Sequence, residues 1–212
     1  MAWERAIGPN NTQHANQDYT LDEHTLNTIT WARQSPYYQP LSDRDKHLVT
    51  VASLFHDIEK HCGPANLKPI IPTDKVHPEK SADTVRRTLP TLGYNAEETD
   101  LVARLVEHHQ AIGNMIVISL GKPIKDSRPP DVLIDRAVAG IKDQRTLAML
   151  CALTEGDIRS LKANHERFTP ETEAKLKWFS ELVAEKIEEK QKEEQQKLEA
   201  QQQQDGENNP QA

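Results

Sequence analysis

The chain has 212 residues, enough for one domain or a domain with a tail, and it is 36% hydrophobic and 5% aromatic. Its mean hydropathy of −0.75 is low for a compact globule, so part of the chain is expected to lie outside any core. A net charge of −7 disfavours a protein that coats long nucleic acid or an anionic membrane, and no apolar run approaches the ~20 residues of a membrane helix.

Thr20-x-x-Glu23 reads as a capping box that opens a helix with Leu26 and Ile29 inward. Ser42-x-x-Asp45 opens a second, running through Leu48, Val49, Ala52 and Phe55 to about Lys60. Residues 61–76, with Gly63, Pro64, Pro69 and Pro72, read as a long loop of the kind that often binds ligands. His77-Pro78 begins a third helix with proline in its first turn, ending near Leu89-Pro90. Asn95-x-x-Glu98 caps a fourth, carrying Leu101, Val102, Leu105 and Val106 at helical spacing. Residues 112–130 read as a second long loop, in which Met115–Leu120 could form a short strand. Pro129-Pro130 precedes a helix from Asp131 to about Ile141, and another follows from about Gln144 to Ser160. Thr169-Pro170-Glu171 combines an N-cap, a first-turn proline and a favourable first-turn charge, and opens the last helix. The class is all-α, a helical bundle with a long C-terminal helix.

From Lys186 onward the chain holds four lysines and seven acids, with Ile187 and Leu198 its only sizeable apolar residues. Two apolar residues eleven apart do not make a coiled-coil seam. Such a stretch buries too little surface to offset its ordering entropy. It is expected to stay helical to about Glu199 and then fray. The division is therefore residues 1–185 as the domain and 186–212 as a Glu/Lys/Gln-rich tail.

The nine histidines are distributed unevenly. His56 lies seven residues after Val49 and four after Ala52, on the inward face of its helix, and Asp57 follows it. His24 sits in the first turn of its helix and His77 begins another. His108 and His109 end a third, with His109 four residues after Leu105. Asp157, three after Thr154, extends an apolar stripe. His14, His47, His61 and His165 read as ordinary loop or surface residues. A buried charge without a partner is costly, and metal coordination is one remedy. Imidazoles and carboxylates together suit divalent Mn, Fe, Co or Zn, with Mg at carboxylate-rich positions.

The order His24, His56-Asp57, His77, His108-His109, Asp157 resembles the HD-domain superfamily of metal-dependent phosphohydrolases. YTLDEHTL at 19–26, LFHDIEK at 54–60, LVEHH at 105–109 and GDIRS at 156–160 are similar to the HD domain of the bacterial bifunctional uridylyltransferase/uridylyl-removing enzyme. That domain hydrolyses the phosphodiester joining UMP to a tyrosine of the signalling protein PII. HPEKSADTVRRTLPTLGY also resembles the HD portion of bacterial tRNA nucleotidyltransferases. The resemblance implies that His24, His56, Asp57 and Asp157 hold one metal. In the two-metal branch it implies that His77, His108 and His109 hold a second, bridged by Asp57. One departure is Glu59, which stands where HDIGK has glycine and brings a negative charge beside the site.

The implied reaction is attack of metal-bound hydroxide on phosphorus, with no serine or cysteine nucleophile. Cys62 then reads as a loop thiol and Cys151 as a core residue. Two cysteines make no disulfide framework, and Met1-Ala2-Trp3-Glu4-Arg5 is not a signal peptide, so a cytoplasmic protein is expected. Asp57, Lys60 and Arg159 are the residues expected to act in catalysis, with Lys80 a further candidate for holding phosphate. Arg86, Arg87 and Arg104 read as exposed helix charges. The expected substrate is a nucleotide, a cyclic phosphate or a nucleotidylated protein. Two other readings share the ligand set: a di-iron oxygenase, and a non-catalytic nucleotide-binding signalling module.

Overall fold

The structure, a computed structural model, describes residues 21–60, 76–119, 121–161 and 168–207. Their regular structure is all helical, with no strand among the described residues. The helices are α1 (Leu21–Ala32), α2 (Asp43–Phe55), α3 (His77–Thr88), α4 (Ala96–Glu107), α5 (Gln110–Ile118), α6 (Asp131–Ile141), α7 (Gln144–Ser160) and α8 (Pro170–Glu207). Thr20 lies outside the described residues, as does the predicted loop 61–76 except Val76.

The helix starts follow local chemistry. Ser42 accepts from Asp45 N at 3.1 Å at the head of α2. Asn95 and Glu98 form the reciprocal capping box of α4, at 2.9 and 3.2 Å. Asp143 caps α7 through Thr146 N at 2.6 Å. Thr169 accepts from Thr172 N at 3.3 Å ahead of Pro170.

Three segments differ from expectation. Helix α2 stops at Phe55 rather than Lys60, and tight turns carry residues 56–60. The reason is His56, whose Nδ1 lies 2.8 Å from Ser53 O. In a continuing helix that carbonyl would accept from Asp57 N. Most of the predicted loop 112–130 is helix α5 and a 3-10 turn at Ile124–Asp126. Ile112, Met115 and Ile116 are buried at helical spacing, which outweighs Gly113 as a breaker. Helix α8 continues past Glu199 to Glu207. Beyond Ile187 it has no buried residue up to Gln202, so this segment rests on the high helix propensity of Glu, Lys, Gln and Ala. Gln195–Glu199 pairing at 2.7 Å adds to it.

A main core joins the helices and includes the buried Leu48, Val49, Leu105, Val106, Met149 and Leu150, and a small second cluster holds Leu21 and Ile58. Helix α1 lies along α7, α3 lies along α4, and α8 crosses α5, α6 and α7. Helices α1 and α7 approach closely at Gly156 of α7. A Cβ there would sit 2.5 Å from Thr28 O and 2.8 Å from Ala32 Cβ of α1. Glycine thus sets the spacing between the two helices that carry His24 and Asp157. No helix among the described residues is long and apolar enough to cross a membrane.

Candidate metal centre

Five elements deliver the site. Helix α1 contributes His24 from its first turn, and the turn after α2 contributes His56, Asp57 and Lys60. Helix α3 contributes its first residue, His77, the α4–α5 junction contributes His109, and α7 contributes Asp157. His109, at the N-cap of α5, repeats the contact that His56 makes at the end of α2: its Nδ1 lies 2.7 Å from Val106 O, three residues back.

The side chains converge on Asp57. His24 Nε2 lies 3.4 Å and His56 Nε2 3.5 Å from Asp57 Oδ2. His77 Nε2 lies 2.9 Å and His109 Nε2 3.6 Å from Asp57 Oδ1. Asp157 Oδ1 closes the first side, 3.2 Å from His24 Nε2 and 3.7 Å from His56 Nε2. Two groups result, His24/His56/Asp157 and Asp57/His77/His109, each with its ligand atoms within 4.8 Å of one another. All are buried except Asp157, whose side chain is 22% exposed and marks the open side.

The outer hydrogen bonds decide what the rings offer. Backbone carbonyls only accept, so the rings of His56 and His109 donate from Nδ1 to Ser53 O and Val106 O, and in a neutral ring this leaves Nε2 without a proton. Their Nε2 atoms are then lone pairs facing carboxylates. A lone pair beside an anion is repulsive unless a proton or a cation lies between them. The ligand types and this orientation fit a divalent cation, as outer partners fix the tautomer of metal-binding histidines.

Electrostatics agree. Burial alone would raise the pKa of Asp57, but Lys60, 2.8 Å away, and His56 outweigh it and hold Asp57 well below the usual carboxylate range. Burial is likewise outweighed at Asp157, by the neighbouring imidazoles of His24 and His56, and its pKa is well below normal. Burial lowers His109 despite Asp57 and favours the neutral ring a metal needs. At His24 burial is outweighed by Asp157 and Asp57, and the pKa is raised.

Of the predicted ligands, the structure brings six together and leaves His108 apart. His108 occupies the space beside Gly140 of α6, where a Cβ would meet its Nε2 at 2.2 Å. Successive residues at a helix end point about 100° apart, so His108 and His109 enter different surroundings. Lys60 reaches the cluster, but Arg159 does not among the described contacts. Its guanidinium pairs with Glu155 at 2.8 Å and lies 4.1 Å from the Phe168 ring centroid. Lys80 is exposed on α3. Glu59 turns away from the cluster and accepts from Thr84 Oγ1 at 2.8 Å. Arg86 and Arg104 pair with Glu107 and Asp100. Cys151 is fully buried and Cys62 lies outside the described residues.

Sequence reasoning missed Ser160, whose Oγ lies 2.7 Å from His24 Nδ1, and Thr28 beside it. Each lies a helical turn from a proposed ligand, Ser160 three residues after Asp157 and Thr28 four after His24. That spacing was the available signal.

No protein-family model matches the chain. The chain is 34% identical over 152 residues to the bifunctional uridylyltransferase/uridylyl-removing enzyme of Bordetella pertussis, a match covering 66% of this chain and 16% of the relative. This chain is homologous to part of that enzyme. The enzyme of the same name from Haemophilus influenzae is 29% identical over 157 residues, 69% of this chain and 16% of its own. That of Bradyrhizobium sp. strain BTAi1 is 25% identical over 155 residues, 68% of this chain and 15% of its own. The chain therefore spans 15–16% of the length of these relatives.

Proposed function

We propose that residues 1–185 form an HD-superfamily metal-dependent phosphohydrolase and that 186–212 are an appended tail. The observation that carries this reading is the pair of three-ligand groups meeting at the two oxygens of Asp57. His24, His56 and Asp157 would hold one ion and His77 and His109 a second, with Asp57 shared. Two imidazoles and a carboxylate on each side suit Mn²⁺, Fe²⁺, Co²⁺ or Zn²⁺, with Mg²⁺ less favoured by the nitrogen ligands. Divalent ions held there would supply Lewis acidity toward phosphoryl oxygens and would lower the pKa of bound water.

The chain's own residues prepare the site. Asp57 and Asp157 are held ionised, and the Ser53 and Val106 carbonyls hold His56 and His109 with Nε2 toward the cluster. Lys60 places a positive charge against Asp57, and we assign it to binding substrate phosphate. Substrate would enter on the exposed side of Asp157. Arg159, two residues after Asp157 and stacked on Phe168, is assigned to shaping that entrance.

The relatives' name speaks of uridylyl removal. A nucleotide, a cyclic phosphate or a nucleotidylated protein is the substrate class this supports. Purified chain loaded with Mn²⁺ is expected to hydrolyse bis(p-nitrophenyl) phosphate or 2′,3′-cyclic nucleotides, and Asp57→Ala to abolish both turnover and metal binding. Full turnover by that variant with unchanged metal content would overturn the proposal. An iron-only protein that takes up O₂ and cleaves no phosphoester would point to an oxygenase instead.

A further inference from the structure

Among the described hydrogen bonds, His56 and His109 are oriented by backbone carbonyls, whereas His24 is oriented by a side chain, Ser160. Ser160 is buried, and its Oγ lies 2.6 Å from the backbone oxygen of Asp157 and 2.7 Å from His24 Nδ1. Directionality follows from the inventory of donors. The Asp157 carbonyl can only accept, so the single hydroxyl proton of Ser160 points to it. Toward His24 the oxygen must then accept, so His24 carries its proton on Nδ1. Thr28 Oγ1, 3.1 Å from Ser160 Oγ and 3.0 Å from His24 O, closes the loop back to α1.

We propose that Ser160 is a positioning residue for one of the two ions. It fixes the tautomer of His24 so that Nε2 presents a lone pair, and it ties that ring to the backbone of Asp157, another residue of the same group. The inference rests on the two-ion reading above. Without the serine acceptor, neutral His24 gains by moving its proton to Nε2, where Asp157 Oδ1 at 3.2 Å accepts it. That tautomer has no lone pair for a metal. The Asp57/His77/His109 group has no part in this network and keeps its affinity.

Calorimetric titration of the full chain with Mn²⁺ tests this. Wild type is expected to bind two ions. Ser160→Ala is expected to weaken one of them about 10–100-fold and leave the other unchanged. The loss should persist in a His77→Ala background, where the His24 group is the better preserved one. Thr25→Val on the same helix removes an equally buried hydroxyl whose described bond is to Leu21 O, and both constants should stay as in wild type. If Ser160→Ala fails to fold, Ser160→Cys keeps a side chain there but is a weak acceptor, and carries the same expectation. Wild-type Mn²⁺ constants in a folded Ser160 variant, or equal weakening of both ions, would overturn the role of Ser160. A wild-type chain that binds no Mn²⁺ would instead overturn the two-ion reading on which it rests.

Discussion

The residue-scale consequences turn on adjacent positions with different surroundings. His109 faces Asp57 and His108 faces Gly140. His109→Ala is therefore expected to lose one Mn²⁺ per chain, and His108→Ala to keep both, read by metal analysis after desalting. Lys60→Ala should lower phosphoester kcat/KM on the order of 100-fold, the effect of removing one preorganised donor. A variant at wild-type rate would remove Lys60 from the site. The residue types that converge on Asp57 were legible in the sequence because histidines and acids stood on inward helix faces or at helix starts. The choice between His108 and His109 was not legible. It depends on which ring takes the Val106 carbonyl, and both orders of roles fit the same letters. Arg159 was misplaced for a similar reason: proximity in sequence to Asp157 says nothing about Glu155 and Phe168, which claim its guanidinium.

At the scale of elements, helix starts were the most legible feature. Capping signals at Ser42, Asn95 and Thr169 are local, and each forms as written. Helix ends were less so. Helix α2 ends where His56 bonds a carbonyl three residues back, and His109 bonds Val106 O in the same way just past α4, a competition that spacing alone does not reveal. Helix α5 was missed because Gly113 and Gly121 suggested a loop, although Gly113 sits inside the helix and only Gly121 has a positive φ, of 75°. The glycine with the largest consequence is Gly156. An alanine there would press on Thr28 O and Ala32 of α1. Gly156→Ala should cost about 1–3 kcal/mol of stability by overpacking, measured by urea unfolding. It should also weaken the ion bound by His24 and Asp157, since those helices must part. An alanine variant of unchanged stability and affinity would show that α1 and α7 have slack at this crossing.

For the whole molecule, acid is the informative stress. Asp45, Asp57 and Asp157 have lowered pKa values, so the stability they contribute exists above about 3.8 and is lost as pH falls through their folded values. His108 and His109 are lowered as well, so below about 6.5 the unfolded chain binds protons that the fold resists. His24, raised, acts oppositely: its contribution is present below about 6.5 and is lost as pH rises through its folded value. Glu155, raised by burial, also acts oppositely, its contribution lost as pH rises through its folded value. The lowered groups outnumber these two, and the Tm of EDTA-treated protein should fall from pH 7 to pH 3. A level or rising Tm would mean that His24 and Glu155 dominate. The low overall hydrophobicity belongs largely to the solvent-exposed end of α8 rather than to a poor core. The acidic net charge is compatible with binding an anionic substrate, because two divalent ions would add about +4 at the site.

Everything proposed for this chain depends on two ions sharing Asp57. Anomalous diffraction from crystals grown with Mn²⁺ observes them directly. Two peaks are expected on either side of the Asp57 carboxylate, one among His24, His56 and Asp157, the other beside His77 and His109. A single peak on one side, or density centred away from Asp57, would refute the shared-carboxylate centre.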